Sequence, residues 1–147
     1  DGFCSFSVSK SGLNGMTGVL NNITSIFSSK GIGIEYAPVG VDDISIVAIE
    51  KDLESKSHPD EIIKELKRAV GNKSLINFYD NLGTLVVAGK ALKRDLKTMG
   101  EIIINLSENN IDIRSVSCGE EKRCYMFGLN SKDGNKAVKI IYDSFIR

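Results

Sequence analysis

Hydrophobic residues recur along this chain with two periods, and the switch between them marks out its elements. Phe3 to Ser9 alternates Cys4, Phe6 and Val8 against Phe3, Ser5 and Ser7, which predicts a strand with one buried face. Met16, Val19, Leu20, Ile23, Ile26 and Phe27 then follow at spacings of three and four, predicting an amphipathic helix of about four turns with Gly31 as its C-terminal cap. Ile32 to Val39 and Ile44 to Glu50 are β-rich runs joined by the turn Gly40-Val41-Asp42-Asp43. A polar stretch, Lys51 to His58, reads as a connection ending at Pro59, where a second helix starts with an apolar stripe of Ile62, Ile63, Leu66, Ala69 and Val70. Ser74 to Tyr79 closes the series as a strand, giving the order βαββαβ.

The same pattern returns further on. Shifting the chain by 79 residues carries Leu20 onto Met99, Ile23 onto Ile102, Phe27 onto Leu106, Ile32 onto Ile111, Ser45 onto Cys124 and Ile46 onto Tyr125 without a gap. That period is too long for a solenoid unit, so it reads as a duplicated domain. The second copy is expected to run Gly83 to Gly89, a helix from about Arg94 to Glu108, Ile111 to Ser117, Cys124 to Asn130 and a last helix from Asp133 to Phe145, in the order βαββα with its closing strand supplied from elsewhere. Two helices over one face of an antiparallel sheet make an α+β, ferredoxin-like arrangement, with domains at residues 1–80 and 81–147.

Composition narrows the function classes. Nineteen basic and nineteen acidic side chains cancel, so no long-range field draws the protein to nucleic acid or to an anionic membrane. Apolar runs such as Leu85 to Ala88 are far shorter than a membrane span. Three cysteines, Cys4, Cys118 and Cys124, without zinc-type spacing suit a reducing, cytoplasmic setting. The chain opens at Asp1 without methionine and enters a strand within two residues, which suggests a piece of a longer protein.

No catalytic constellation or metal-ligand cluster is visible. His58 is the only histidine and is expected to be solvent-exposed beside Pro59. Cys118 and Cys124 flank one turn and read as cross-strand neighbours or core fillers, with a redox role as the alternative. The carboxylate pairs Asp42-Asp43 and Glu120-Glu121 fall in hairpin turns. The best candidate site is the strand-to-helix loop containing Gly12, Gly15 and Gly18, because open amides at a helix start attract a carboxylate or phosphate. The alternative is that these glycines only make a tight turn.

Phe6 to Lys10, Gly18-Val19-Leu20 and Gly31-Ile32-Gly33-Ile34-Glu35-Tyr36-Ala37-Pro38-Val39-Gly40-Val41-Asp42-Asp43-Ile44-Ser45 resemble the first ACT domain of lysine-sensitive aspartate kinases. Leu85 to Gly89, Asn110 to Ile113, Ser115 to Gly119 and Met126-Phe127-Gly128 resemble the family's second ACT domain. The resemblance implies an allosteric role in a feedback-inhibited kinase of the aspartate-derived amino-acid pathway. It implies an amino-acid effector, lysine foremost, with threonine or methionine as alternatives. It further implies a homodimer built through ACT domains and a kinase domain outside these residues, which alone would need ATP and magnesium; no cofactor is expected here.

Carried over by position, Leu13, Met16, Val19 and Leu20 match the loop and helix start that meet the effector carboxylate. Gly33, Ile34 and Glu35 match the facing strand, with Glu35 toward the α-ammonium, and Asp42 and Asp43 match a hairpin that reaches the distal amine. There are departures. Lys97 and Arg114 replace Gly18 and Glu35 in the second copy, which implies a structural, dimerising role there. The family's "KYLMN" is Lys10-Ser11-Gly12-Leu13-Asn14 in the first copy and its "GSSE" is Cys118-Gly119-Glu120-Glu121 in the second. A rival class, the RRM-type RNA-binding module, shares the element order but lacks its aromatic signature in Lys122 to Phe127.

Overall fold

A computed structural model describes residues 2–89, 92, 96–121 and 124–145. The chain divides into two compact units, Gly2–Asp80 and Asn81–Arg147 with Asp1. The α+β class and the antiparallel pairing expected from the sequence are both observed.

In the first unit β1 (Phe3–Ser9), β2 (Ile34–Tyr36), β3 (Asp43–Ile49) and the first part of β4 (Leu75–Ala88) lie in the order β2-β3-β1-β4. Helices α1 (Val19–Ser29) and α3 (Pro59–Val70) supply its other layer. The alternation in β1 sends Cys4, Phe6 and Val8 into a core shared with Ile23 and Phe27 of α1, Ile46 and Ala48 of β3, and Ile62 and Leu66 of α3, all fully buried. Phe6 sits at its centre, edge-on to Phe27 with ring centroids 5.4 Å apart and tilted against Phe78 at 4.9 Å.

In the second unit the latter part of β4 pairs with β6 (Cys124–Asn130), and β6 with β5 (Ile113–Cys118). Helices α4 (Leu96–Glu108) and α5 (Gly134–Phe145) complete it. Its core gathers Ile102, Leu106, Tyr125, Phe127, Leu129 and Ala137. The buried Tyr125 hydroxyl donates to the Leu92 carbonyl at 3.2 Å, so the polar atom that comes with the ring is satisfied.

The 79-residue repeat survives down to individual hydrogen bonds. The Ile32 amide closes α1 on the Phe27 carbonyl at 3.0 Å, and the Ile111 amide closes α4 on the Leu106 carbonyl at 3.0 Å. The residue before each isoleucine adopts a left-handed conformation, Gly31 at φ 68° and Asn110 at φ 57°. Leu13 and Leu92 are both buried, each with its amide on the carbonyl three residues earlier.

Several boundaries differ from the sequence reading. Residues 75–88 form one 14-residue strand where two were expected, because Asn81 takes a left-handed φ of 53° without interrupting the run. Part of the expected connection Lys51 to His58 is a helix, α2 (Glu50–Lys56), anchored by buried Leu53. Helix α1 begins at Val19, three residues later than Met16, since Leu13–Gly15 winds as a 3₁₀ turn first. The second strand shrinks to three residues, with Val39 only bridging to Ile44. Of the start expected for α4, Arg94 lies outside the described residues.

Candidate functional site

The loop from Lys10 to Gly18 is held at three places before α1 begins. The Lys10 amide donates to the main-chain carbonyl of Asp42 at 3.0 Å, continuing the pairing of β1 with β3 past its end. Gly12, left-handed at φ 76°, turns the chain into the 3₁₀ segment, whose Leu13 side chain plugs into the core at 1% exposure. One oxygen of the Asp42 carboxylate, Oδ1, accepts from the amides of both Gly12 at 2.8 Å and Leu13 at 3.2 Å. Gly15 and Met16 then donate to Gly12 and Leu13, and Val19 donates to Met16.

Gly18, left-handed at φ 74°, occupies the N-cap position of α1, where no side chain caps the helix and no acidic residue stands in its first turn. Asn22 is the first residue to donate back into the turn, to the Gly18 carbonyl. Among the described residues the Leu20 and Asn21 amides therefore have no acceptor, and they point along the positive end of the helix dipole. A group with negative charge is what such an end accommodates.

The expected site residues separate into distinct roles. Leu13 and Val19 are buried, so they can offer a ligand only main chain, and their amides, like that of Met16, are already bonded within the chain. Leu20 is 44% exposed and keeps an open amide. Gly33 and Ile34 line an open groove of about 510 Å³ with Asn21, Thr24, Ser25 and Ser28 of α1. Glu35, next on β2, is exposed, as are Asp42 and Asp43 on the hairpin. The Asp43 side chain lies over Gly40, where a Cβ would meet its Oδ1 unless that exposed side chain turned aside.

Two groups went unread. Asn21, Thr24, Ser25 and Ser28 fall at helical spacing and form the small polar wall of the groove, a stripe visible in the sequence once the apolar face is set aside. Lys10 donates from Nζ to the Val70 carbonyl at 2.7 Å, which no local pattern announces.

The remaining candidates have structural surroundings. His58 is exposed as expected but also caps α3, its Nδ1 accepting from the Asp60 amide at 3.3 Å. Cys118 lies opposite Tyr125, not Cys124, in the β5–β6 register and is exposed, while Cys124 is half-buried. Cys4 is buried, its thiol directed to the Ala48 carbonyl at 3.7 Å. Burial, with Glu50 and Asp80 adding negative charge nearby, pushes that thiol up to about 12. In the second unit, Lys97 lies inside α4, paired with Glu101 at 3.2 Å, and Arg114 is exposed at the place of Glu35.

No family model matches the chain. Aspartokinase 3 of Bacillus subtilis is 26% identical over 144 residues, which are 98% of this chain and 31% of that protein. The crystal structure of Clostridium acetobutylicum aspartate kinase is 30% identical with a TM-score of 0.87, over 97% of this chain and 32% of that one. The chain thus spans about a third of the length of these two relatives. In fold it also matches the ligand-free regulatory subunit of aspartate kinase from Thermus thermophilus, 10% identical with a TM-score of 0.78, over 99% of this chain and 93% of that subunit.

Proposed function

We propose that this chain, which along its whole length has the fold and sequence likeness of an aspartate kinase regulatory region, senses an amino acid through its first unit and transmits feedback inhibition to a kinase domain. Lysine is the effector that the chemistry favours. The observation that carries the reading is the pair of open amides, Leu20 and Asn21, at an uncapped helix start bordering the Gly33–Ile34 groove, with the exposed carboxylate of Glu35 next on the strand.

An α-amino acid presents a carboxylate and an ammonium about two bonds apart, so it needs an anion-binding backbone beside an acid. The Leu20 and Asn21 amides serve the carboxylate, at a helix start shaped by the loop through Leu13, Met16 and Val19. Gly33 and Ile34 make room for the ligand, and Glu35 takes the α-ammonium. Lysine adds a distal amine, for which the hairpin that carries Asp42 and Asp43 supplies an acid. The second unit, with Lys97 and Arg114 at the corresponding places, does not bind effector and serves pairing between copies in a cytoplasmic homodimer. Inhibition follows if the liganded arrangement is the one in which the kinase is inactive, since a ligand shifts an equilibrium only by its differential affinity for the two states. ATP and magnesium belong to the kinase domain.

Isothermal titration with lysine, threonine and methionine tests this. Saturable binding of lysine, weakened about tenfold or more by Glu35→Gln, is expected from the loss of one charge-assisted contact. Absence of heat with every amino acid, including lysine and threonine together, would refute it.

A further inference from the structure

We infer that Asp42 is a positioning residue: its carboxylate clamps the β2–β3 hairpin onto the glycine loop and sets the loop conformation that leaves the Leu20 and Asn21 amides open. The inference rests on the proposed effector site and divides the labour of the two hairpin acids. Three donors converge on Asp42. Its carbonyl takes the Lys10 amide at 3.0 Å, and its Oδ1 takes those of Gly12 at 2.8 Å and Leu13 at 3.2 Å. A carboxylate oxygen shared by two successive amides is a strong, directional contact, and here it joins segments about 30 residues apart in sequence.

The clamp has a consequence for where α1 can start. Gly12 is left-handed, and three of the amides after Leu13 are taken up within the loop: Gly15 on Gly12, Met16 on Leu13, Val19 on Met16. With the loop pinned at Gly12 and Leu13, α1 starts after Gly18 and its first-turn amides at Leu20 and Asn21 are left without an acceptor among the described residues, as are those of Thr17 and Gly18 before them. Released from Asp42, the loop can rewind, drawing Met16 to Gly18 into the helix and giving Leu20 and Asn21 acceptors in the preceding turn. The side chain of Asp43, by contrast, folds over Gly40 and has no hydrogen bond to the loop. Asp43 is then the hairpin acid that meets the ligand's distal amine, and Asp42 acts through the backbone it holds.

Two substitutions separate these roles. Asp42→Asn keeps an acceptor oxygen for the two amides and removes the charge, whereas Asp42→Ala removes both. If Asp42 positions, Asp42→Ala weakens lysine binding about tenfold or more while Asp42→Asn stays within about threefold of the unaltered protein. If Asp42→Asn loses as much as Asp42→Ala, the charge acts on the ligand directly and the inference is overturned; wild-type affinity in Asp42→Ala overturns it equally. Amide hydrogen exchange needs no ligand. The Gly12 amide, whose acceptor is the Asp42 carboxylate, should be protected in the unaltered protein and exchange faster in Asp42→Ala, with the Ile23 and Phe27 amides unchanged; an equal Gly12 exchange rate in the two proteins would refute the clamp. Should the unaltered protein bind no amino acid, the functional proposal fails alone, and the exchange result still decides the clamp.

Discussion

The ammonium of Lys10, one residue beyond β1, lies 2.7 Å from the carbonyl oxygen of Val70, the last residue of α3, and 3.4 Å from the sulfur of Met16. A cation at a helix C-terminus meets carbonyls that the helix itself leaves unpaired. The same side chain thereby ties the glycine loop to α3.

Lys10→Met keeps most of the aliphatic stem and removes the charged donor. The expected cost is about 1–2 kcal/mol, from the charged hydrogen bond and the helix-end interaction together. A lower urea midpoint with unchanged slope would show it, and an unchanged midpoint would mean the contact contributes nothing net.

The left-handed residues that end α1 and α4 make a matched pair, and each copy predicts what the other tolerates. Asn110 adopts φ 57° where its counterpart Gly31 adopts φ 68°, and a Cβ at Gly31 meets nothing within 4 Å. Gly31→Asn should therefore cost less than about 1 kcal/mol, whereas Gly31→Val, β-branched in the same conformation, should cost about 1–2 kcal/mol or more. Thermal denaturation of the two variants ranks them, and equal losses would contradict the argument.

Thiol chemistry should sort the cysteines. At pH 8 an aromatic disulfide reagent is expected to label exposed Cys118 quickly, half-buried Cys124 more slowly and buried Cys4 only on unfolding. The Cys4 thiol is raised to about 12 in the folded protein against an ordinary 9.0, so the folded state binds the proton more tightly. That stabilising contribution is complete below pH 9 and is lost as pH rises from 9 toward 12. Cys4→Ser lacks this titration; a stability profile above pH 9 identical to that of the unaltered protein would contradict the assignment.

Much of the fold was legible because its signals are local. Alternation at Phe3 to Ser9 and Cys124 to Asn130 defines β1 and β6 to the residue, and the spacing from Ile62 to Val70 with Pro59 at its start defines α3. Helix α2 was hidden because only Leu53 marks its buried side, and a single apolar position has no period. β4 was divided because Asp80-Asn81 and Gly83 carry turn chemistry that an asparagine in left-handed conformation satisfies without ending the strand. In the candidate site, the glycines that free the backbone could be read from composition. Which amides remain open could not, since that depends on how the 3₁₀ turn uses up donors and on a carboxylate 30 residues away.

The central claim is that an amino acid binds the first unit at the start of α1 and not at the corresponding place in the second. Amide chemical-shift mapping of the ¹⁵N-labelled protein during a lysine titration tests it most directly. The account predicts saturable shifts led by Leu20, Asn21 and the Gly33–Glu35 strand, with Lys97, Thr98 and Arg114 unmoved. Shifts centred on Lys97 to Met99 and Arg114, or none at saturating lysine, would contradict it.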